Sequence, residues 1–372
     1  MADFRVFHEI VDNPSSYAQK WKTEKNGKII GTFCSYAPEE IILAAGALGY
    51  RIFGTGGAVS MADKYLQAYS CSLVRGAMEE SLAGGLDFLD GVIFPHTCDS
   101  IQRLSDIWRM NIKTGFHIDL VMPVKLNTQS SRDYMIDVIK AFKQNLETQL
   151  ETNISEQALE QATETCNQIR DTVNRIYAVR QKFPGKIKGE DIHAMVKASM
   201  MMDRHDFLSL VRDIADELEK SQEGSAFAGK RLVLSGGLCN MPDIYSVIEN
   251  AGAYVVRDDL CTGNRFFEEN IKKSADSLKS IANRYVDRNV CPAKHSGIRS
   301  RGENLVRIVQ ESKADGVLFI YLKFCDPHGF DYPYLKDMLE ENKIPCMLYE
   351  IEDQLSGGGQ FETRCEAFVE ML

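Results

Sequence analysis

The stretch KIIGTFCSYAPEE, residues 28–40, is the part of the sequence that says most about the fold. Its apolar first half predicts a buried strand over Lys28–Cys34. Its second half predicts a helix over Pro38–Leu48, because proline and carboxylates are favoured in a first helical turn. A second short strand is predicted at Tyr50–Phe53. Two strands separated by a helix indicate parallel pairing through a right-handed crossover.

Short apolar runs alternate with helical stretches along much of the remaining chain. Further strands are predicted at Gly91–Phe94, His117–Met122, Arg231–Ser235, Ala253–Arg257, Gly316–Leu322 and Pro345–Glu350. The segment CSYAPE at residues 34–39 resembles CNMPD at residues 239–243, and each precedes a predicted helix, an Ala-Gly pair and a strand. The sequence therefore predicts an α/β fold with two similar domains, each a parallel sheet flanked by helices, plus a helical segment.

Four parts of the chain are predicted from these patterns. Residues 1–27 form an N-terminal helical segment, and residues 28–129 form the first α/β domain. Residues 130–225 form a helical connecting region, because they are charged, periodic and poor in strand signals. Residues 226–372 form the second α/β domain.

Composition excludes several classes of function. The 372 residues carry a formal net charge of -10, whereas non-specific nucleic-acid binding needs a basic face. The N-terminus lacks the apolar stretch of a signal peptide, and charges or prolines interrupt every apolar run before it could cross a bilayer. We therefore expect a cytoplasmic protein that binds neither nucleic acid nor a membrane.

Three cysteines at or beyond the ends of predicted strands are candidate ligands: Cys34 ends the first strand, Cys98 lies a few residues beyond Phe94, and Cys325 lies a few residues beyond Ile320. Ligands of open parallel sheets bind beyond the carboxyl ends of the strands, so these thiols are expected at corresponding edges. Three converging thiolates suit a soft metal or an iron–sulfur cluster and leave one position open. The alternative is that each is an ordinary buried thiol, which is common for free cysteine. The absence of a CxxC pair argues against a zinc ribbon.

The glycine-rich segment GTGG at residues 54–57 also follows a predicted strand. It lacks the third glycine of a dinucleotide fingerprint and the GK[ST] ending of a P-loop. A tight turn is therefore a better interpretation than a phosphate cradle.

The remaining landmarks are HTCD at residues 96–99, DDLCTG at 258–263, KFCDP at 323–327 and QFETR at 360–364. Together with FCSYAPEE at 33–40 and CNMPD at 239–243, they make the chain resemble the 2-hydroxyacyl-CoA dehydratase and benzoyl-CoA reductase family of anaerobes. The resemblance covers nearly the whole chain. It implies a [4Fe-4S] cluster held between two α/β domains by Cys34, Cys98 and Cys325. Cys239 and Cys261 lie in similar segments and are held in reserve as ligands.

The resemblance also implies a radical dehydration used in amino-acid fermentation. Such enzymes are heterodimers of related subunits, and a separate ATP-dependent iron–sulfur activator injects one electron. The electron converts the thioester carbonyl of an (R)-2-hydroxyacyl-CoA to a ketyl radical anion, which expels hydroxide, loses the β-proton, returns the electron and leaves 2-enoyl-CoA. This chain resembles the beta-type subunit, so it is expected to relay the electron while the alpha-type subunit binds most of the substrate. No catalytic acid or base is assigned.

Two other functions remain open at this level. The chain is compatible with a benzoyl-CoA reductase subunit, which adds electrons to an aromatic ring. It is also compatible with a non-catalytic electron-transfer or scaffold protein. Thioesters of 2-hydroxyisocaproyl-CoA, 2-hydroxyglutaryl-CoA, lactyl-CoA and phenyllactyl-CoA are all compatible with the sequence, and the resemblance favours a branched or short-chain acyl group among them.

Overall fold

The computed structural model describes residues 2–372 except 114, 221–227, 239, 242, 289–290, 298 and 353–357. The strands among these residues are β1 Ile29–Thr32, β2 Leu48–Arg51, β3 Gly91–Pro95, β4 Phe116–Leu120, β5 Lys230–Gly236, β6 Ala253–Asp259, β7 Gly316–Leu322 and β8 Cys346–Ile351. The α-helices are α1 Arg5–Asp12, α2 Pro14–Lys25, α3 Glu39–Ala44, α4 Ser72–Leu82, α5 Asp99–Asn111, α6 Gln129–Leu150, α7 Glu156–Lys182, α8 Gly189–Ser199, α9 Arg204–Lys220, α10 Asp243–Asn250, α11 Ser277–Asp287, α12 Ser300–Ser312, α13 Asp326–Glu341 and α14 Gly358–Met371.

The strands form two four-stranded parallel sheets with the same arrangement. The first has the order β2-β1-β3-β4, and the second has the order β6-β5-β7-β8. Each strand of the first sheet therefore has a counterpart at the same position in the second. The predicted α/β fold with two similar parallel-sheet domains is confirmed. Because both sheets are parallel and flanked by helices, their inner strands β1, β3, β5 and β7 are buried on both faces and appear as nearly continuous apolar runs.

The predicted helix over Pro38–Leu48 is too long at its C-terminal end. Helix α3 stops at Ala44, and β2 already begins at Leu48. Gly46 adopts a left-handed conformation with φ 73°, which ends the helix. The backbone N–H of Ala47 then bonds to the carbonyl of Ile42 at 3.2 Å. This tight exit lets β2 pair with β1 immediately.

The helical region between the sheets packs against both domains. Helix α7 contacts α9, and it also contacts α3 of the first domain and β6 of the second. Helix α11, from the second half of the chain, packs on α6. These contacts join the two halves of the chain. No helix in the described part of the chain is both long and apolar enough to cross a membrane.

Candidate metal centre

The three predicted thiols lie directly after three parallel strands. Cys34 follows the end of β1, and Cys98 and Cys325 are the N-cap residues of α5 and α13, which follow β3 and β7. All three are half-buried and free of disulfides. A helix begins directly after Cys98 and after Cys325, but not directly after Cys34. There the N–H of Ala37 bonds to the Cys34 carbonyl at 3.0 Å in a turn, and α3 begins only at Glu39.

Electrostatic interactions link these thiols with one another. Burial, and then the negative charges of ionised Cys71, Cys34 and Cys291, raise the pKa of the Cys98 thiol to about 12, against a backbone hydrogen bond from Ile101. Burial likewise raises the pKa of Cys325 well above its usual range, and ionised Cys71, Cys98 and Cys261 act in the same direction. Thiols with such pKa values stay protonated at neutral pH unless a cation compensates for their charge.

Buried cations surround the same group of thiols. The side chain of Arg51 hydrogen-bonds to Cys34. Arg265 donates from Nη1 to the Sγ of Cys261 at 3.4 Å, so this reserve cysteine already has a partner. Burial lowers the pKa of Lys294, and the charges of Cys291 and Cys34 oppose that effect. Buried positive charge of this kind stabilises an anionic group at the thiols.

Cys325 also has a histidine partner. Its Sγ lies 3.2 Å from Nδ1 of His328, one turn into α13. Burial, with repulsion from Arg265 and Arg301, holds the pKa of His328 well below its usual value. The imidazole is therefore neutral and carries one N–H. When Cys325 is a thiolate, the sulfur is an acceptor only, so Nδ1–H donates to it.

A cleft of about 830 Å³ reaches Cys98 from outside. Its wall includes Cys98 at the start of α5 and Asp326 at the start of α13, so both domains contribute to it. One side of the cleft is formed where backbone hydrogen bonds join the two halves of the chain. There His295 donates its N–H to the Val124 carbonyl at 2.8 Å, and its own carbonyl accepts the N–H of Leu126 at 2.7 Å.

A second set of potential ligands is already engaged in ion pairs. Single donor atoms of Glu39, Glu40 and Cys166 lie within 4.8 Å of one another. However, Arg170 pairs with both carboxylates, and Arg204 pairs with Glu39 at 2.8 Å. The arginines supply the positive charge that a metal ion would supply. We therefore interpret this group as a structural network between α3 and α7.

The chemistry of the thiol group fits an iron–sulfur cluster. Thiolates are the ligands that hold such clusters, and metal binding releases the protons that the raised pKa values would otherwise retain. The adjacent arginine and lysine side chains lie where their positive charge can balance the negative charge of thiolate ligands. Sulfur-directed hydrogen bonds, such as that of His328, are typical of the surroundings that tune these centres.

Sequence reasoning missed two buried thiols close to this group, Cys71 and Cys291. Neither follows a predicted strand, so the rule about strand ends could not select them. A cysteine is also an unusual N-cap, and Cys71 at the start of α4 therefore gave no recognisable helix signal. The other reserve cysteine, Cys239, lies outside the described residues.

The fold and the thiols define a two-domain α/β protein with a candidate soft-metal centre beside a cleft between its domains. The chain belongs to the family "2-hydroxyglutaryl-CoA dehydratase, D-component", whose profile matches residues 34–372. The resemblance expected from the sequence is thereby confirmed.

Curated relatives match the chain over nearly its whole length. The beta subunit of (R)-phenyllactyl-CoA dehydratase from Clostridium sporogenes is 28% identical over 369 residues, covering 99% of this chain and 98% of the relative. The beta subunit of lactoyl-CoA dehydratase from Anaerotignum propionicum is 27% identical, covering 98% and 97%. A benzoyl-CoA reductase subunit from Thauera aromatica is 26% identical, covering 90% and 88%.

Proposed function

We propose that this chain is the beta-type iron–sulfur subunit of an (R)-2-hydroxyacyl-CoA dehydratase. In this proposal Cys34, Cys98 and Cys325 hold a [4Fe-4S] cluster, and the chain relays one electron from an ATP-dependent activator to a related alpha-type subunit. The observation that carries the proposal is the placement of three half-buried thiols after the parallel strands β1, β3 and β7, with buried cations near them, in a chain of this family. The same proposal divides the chain into an N-terminal helical segment (1–27), a first α/β domain (28–129), a helical connecting region (130–225) and a second α/β domain (226–372).

Each group near the thiols has a role in this function. The cluster would supply a one-electron couple. The three cysteines bind it, while Arg51 and Lys294 offset the negative charge of the thiolates. His328 orients its N–H toward the sulfur of Cys325. The packed interior excludes bulk water, which strengthens each of these interactions.

The surface of the cleft supports a partner of the alpha type. Phe330 is 78% exposed, and Tyr334 and Val124 are also exposed beside it. All three line the cleft that leads to Cys98. Exposed apolar side chains gathered around a polar opening are typical of surfaces that a protein partner covers. A partner bound here would place its own redox centre near the thiols.

The function predicts a specific loss of iron. We expect Cys98→Ala and Cys325→Ala to remove about four irons per copy of this chain and to abolish dehydration of the acyl-CoA by the complex. The measurement is iron and acid-labile sulfide in anaerobically purified protein, co-expressed with its alpha-type partner, followed by activity with the activator and ATP. Cys365→Ala is the matched control, because Cys365 is fully buried in the core of the second domain.

Two outcomes would contradict the proposal. If the wild-type complex contained no iron attributable to this chain, the three cysteines would be ordinary core residues. Activity of the partner alone would make the relay unnecessary.

The likeness to the benzoyl-CoA reductase subunit supports a second candidate function, reduction of an aromatic acyl-CoA. Assays of the same complex with benzoyl-CoA and with 2-hydroxyacyl-CoA substrates separate the two.

His328 provides an independent test of the centre through its reduction potential. We expect His328→Leu to shift the midpoint potential to a more negative value, because the lost N–H would have stabilised the more negative reduced form. The measurement is a redox titration followed by electron paramagnetic resonance. His193→Leu is the control, since His193 is another buried histidine whose pKa is lowered, to about 3, by burial. Equal midpoint potentials in the wild type and in His328→Leu would show that the centre does not receive a hydrogen bond from His328.

A further inference from the structure

A single carboxylate, that of Asp119 on the edge strand β4, contacts both sides of the turn that carries Cys98. Nε2 of His96, just before Cys98, lies 2.8 Å from Oδ1 of Asp119. The hydroxyl of Ser105 in α5, the helix after Cys98, donates to the same oxygen. Arg109, one turn further along α5, approaches Oδ2 at 3.4 Å. The carboxylate therefore connects the segment before Cys98 with the helix after it.

The protons of this network follow from the chemistry of its groups. A carboxylate only accepts hydrogen bonds, so the hydroxyl hydrogen of Ser105 points to Asp119. The Ser105 oxygen then accepts a hydrogen bond from Nε2 of His117, which lies 2.8 Å away. Although burial opposes it, hydrogen bonds from Ser105 and His96 hold the pKa of Asp119 below its usual value. The carboxylate is therefore ionised at neutral pH and accepts from both sides of the turn.

The turn at residues 95–98 is attached to β4 through His96. The N–H of Thr97 donates to the Pro95 carbonyl at 2.8 Å, which closes the turn on itself. The N–H of His96 instead donates to the Leu120 carbonyl at 3.0 Å. Backbone and side chain of His96 thus both bond to the neighbouring strand. The position of the turn relative to the sheet depends on these two bonds.

Aromatic packing holds the other members of the network in place. The ring of Phe94, at the end of β3, stacks on His117 of β4 with centroids 4.9 Å apart. The same ring meets Trp108 of α5 edge-on at 5.7 Å. Ser105 is only 1% exposed. Because its neighbours are packed in this way, the carboxylate of Asp119 is a fixed point for α5 and for the turn.

We propose that Asp119 is a positioning residue for the metal ligand Cys98. Its carboxylate holds the turn through His96 and α5 through Ser105, so that Cys98 is placed before a metal binds. This inference rests on the proposed iron–sulfur function and adds to it a residue outside the ligand set. Loss of groups that orient metal ligands typically lowers metal affinity by about 10- to 100-fold.

The test compares Asp119→Ala and Asp119→Asn in the complex co-expressed with the alpha-type partner. Asp90→Ala is the matched control, because Asp90 joins elements at the opposite end of β3. It accepts the N–H of Ile29 at 2.9 Å and pairs with Lys22 at 2.8 Å. The measurements are the rate of iron release to a chelator, the electron paramagnetic resonance spectrum of the reduced complex and the midpoint of urea unfolding. The partner's own centre is common to all variants.

We expect Asp119→Ala to release iron roughly tenfold faster than the wild type and to show a changed spectrum. Asp119→Asn should resemble the wild type, because its amide oxygen can still accept from His96 and Ser105. Asp90→Ala should lower the urea midpoint but keep the wild-type spectrum and release rate.

His96→Ala examines the same contact from its other side. It should reproduce the effects of Asp119→Ala. The double variant should release iron no faster than either single variant, because both substitutions remove one shared contact. If Asp119→Ala does not assemble in size-exclusion chromatography, His96→Ala decides the question by the same measurements.

Three outcomes would overturn the assignment. The first is a wild-type spectrum and release rate in Asp119→Ala, or in His96→Ala where that variant decides. The second is an Asp119→Asn variant as impaired as Asp119→Ala, which would assign the effect to charge and not to position. The third is an Asp90→Ala variant with equally fast release and an altered spectrum, which would assign it to general stability. Absence of iron from the wild-type chain would instead contradict the proposed function itself.

Discussion

Replacing Arg170 with methionine is expected to lower the free energy of unfolding by about 3–5 kcal/mol, the usual cost of removing one partner from a buried ion pair. Arg170 on α7 is 1% exposed and Glu40 on α3 is fully buried. The guanidinium pairs with Glu40 and, at 2.8 Å, with Glu39. Methionine fills a similar volume but leaves the buried carboxylate of Glu40 without its strongest counter-charge.

The same substitution should change how stability depends on pH. Arg170 and Arg284 outweigh burial and hold the pKa of Glu40 below its usual 4.5 in the folded wild type. This contribution to stability is present above about pH 4.5 and is lost as the pH falls through the lower folded pKa. In Arg170→Met, burial without the guanidinium raises the pKa of Glu40. The stability difference between the two proteins should therefore narrow as the pH is lowered from neutral toward 4.5.

Urea unfolding at several pH values measures both effects. Arg175→Met is the matched control on the same helix, because Arg175 forms exposed pairs with Asp216 and Glu219 that solvent screens. If Arg170→Met lowered the free energy of unfolding no more than Arg175→Met does, the buried network would contribute no more than a surface ion pair. Since α3 directly follows the segment of Cys34, we also expect Arg170→Met to weaken retention of iron.

Gly236→Ala is expected to destabilise the second domain by about 1–3 kcal/mol, a typical cost of overpacking a core. Gly236 ends β5 and pairs with Ile320 of β7. A Cβ at residue 236 would overlap the carbonyl oxygen of Ile320, which is backbone and cannot move aside as a side chain can. The strands must separate at the end of β7 that leads to Cys325. We therefore expect a lower midpoint of urea unfolding together with reduced iron in the complex.

Gly329→Ala distinguishes this effect from a general cost of replacing glycine. Gly329 lies in α13, and a Cβ there would meet nothing within 4 Å. Alanine in a helix is favoured over glycine by about 1 kcal/mol, so this variant should be at least as stable as the wild type. Unchanged stability and iron in Gly236→Ala would show that the β5–β7 contact relaxes without cost and that Cys325 does not depend on it.

Most of the fold could be predicted because the inner strands of both sheets are buried on both faces and form apolar runs in the sequence. The prediction of a strand at Gly316–Leu322 agrees with β7 at both ends, and Gly91–Phe94 differs from β3 by a single residue. The parallel pairing followed from the helices between the strands. The end of α3 was less predictable, because alanines around Gly46 are good helix formers and only the left-handed backbone of the glycine stops the helix.

The sequence alone was sufficient for the class of fold, the family and the position of Cys34, Cys98 and Cys325 beyond the ends of strands, because these depend on local apolar runs and on short motifs. Tertiary structure was needed to find the histidine partner of Cys325 and the ion pairs between α3 and α7. These are contacts between side chains that are distant along the chain or whose direction depends on how helices pack. A sequence pattern indicates which face of a helix or strand is buried. Which side chains pack against that face depends on how the elements of the two domains pack together.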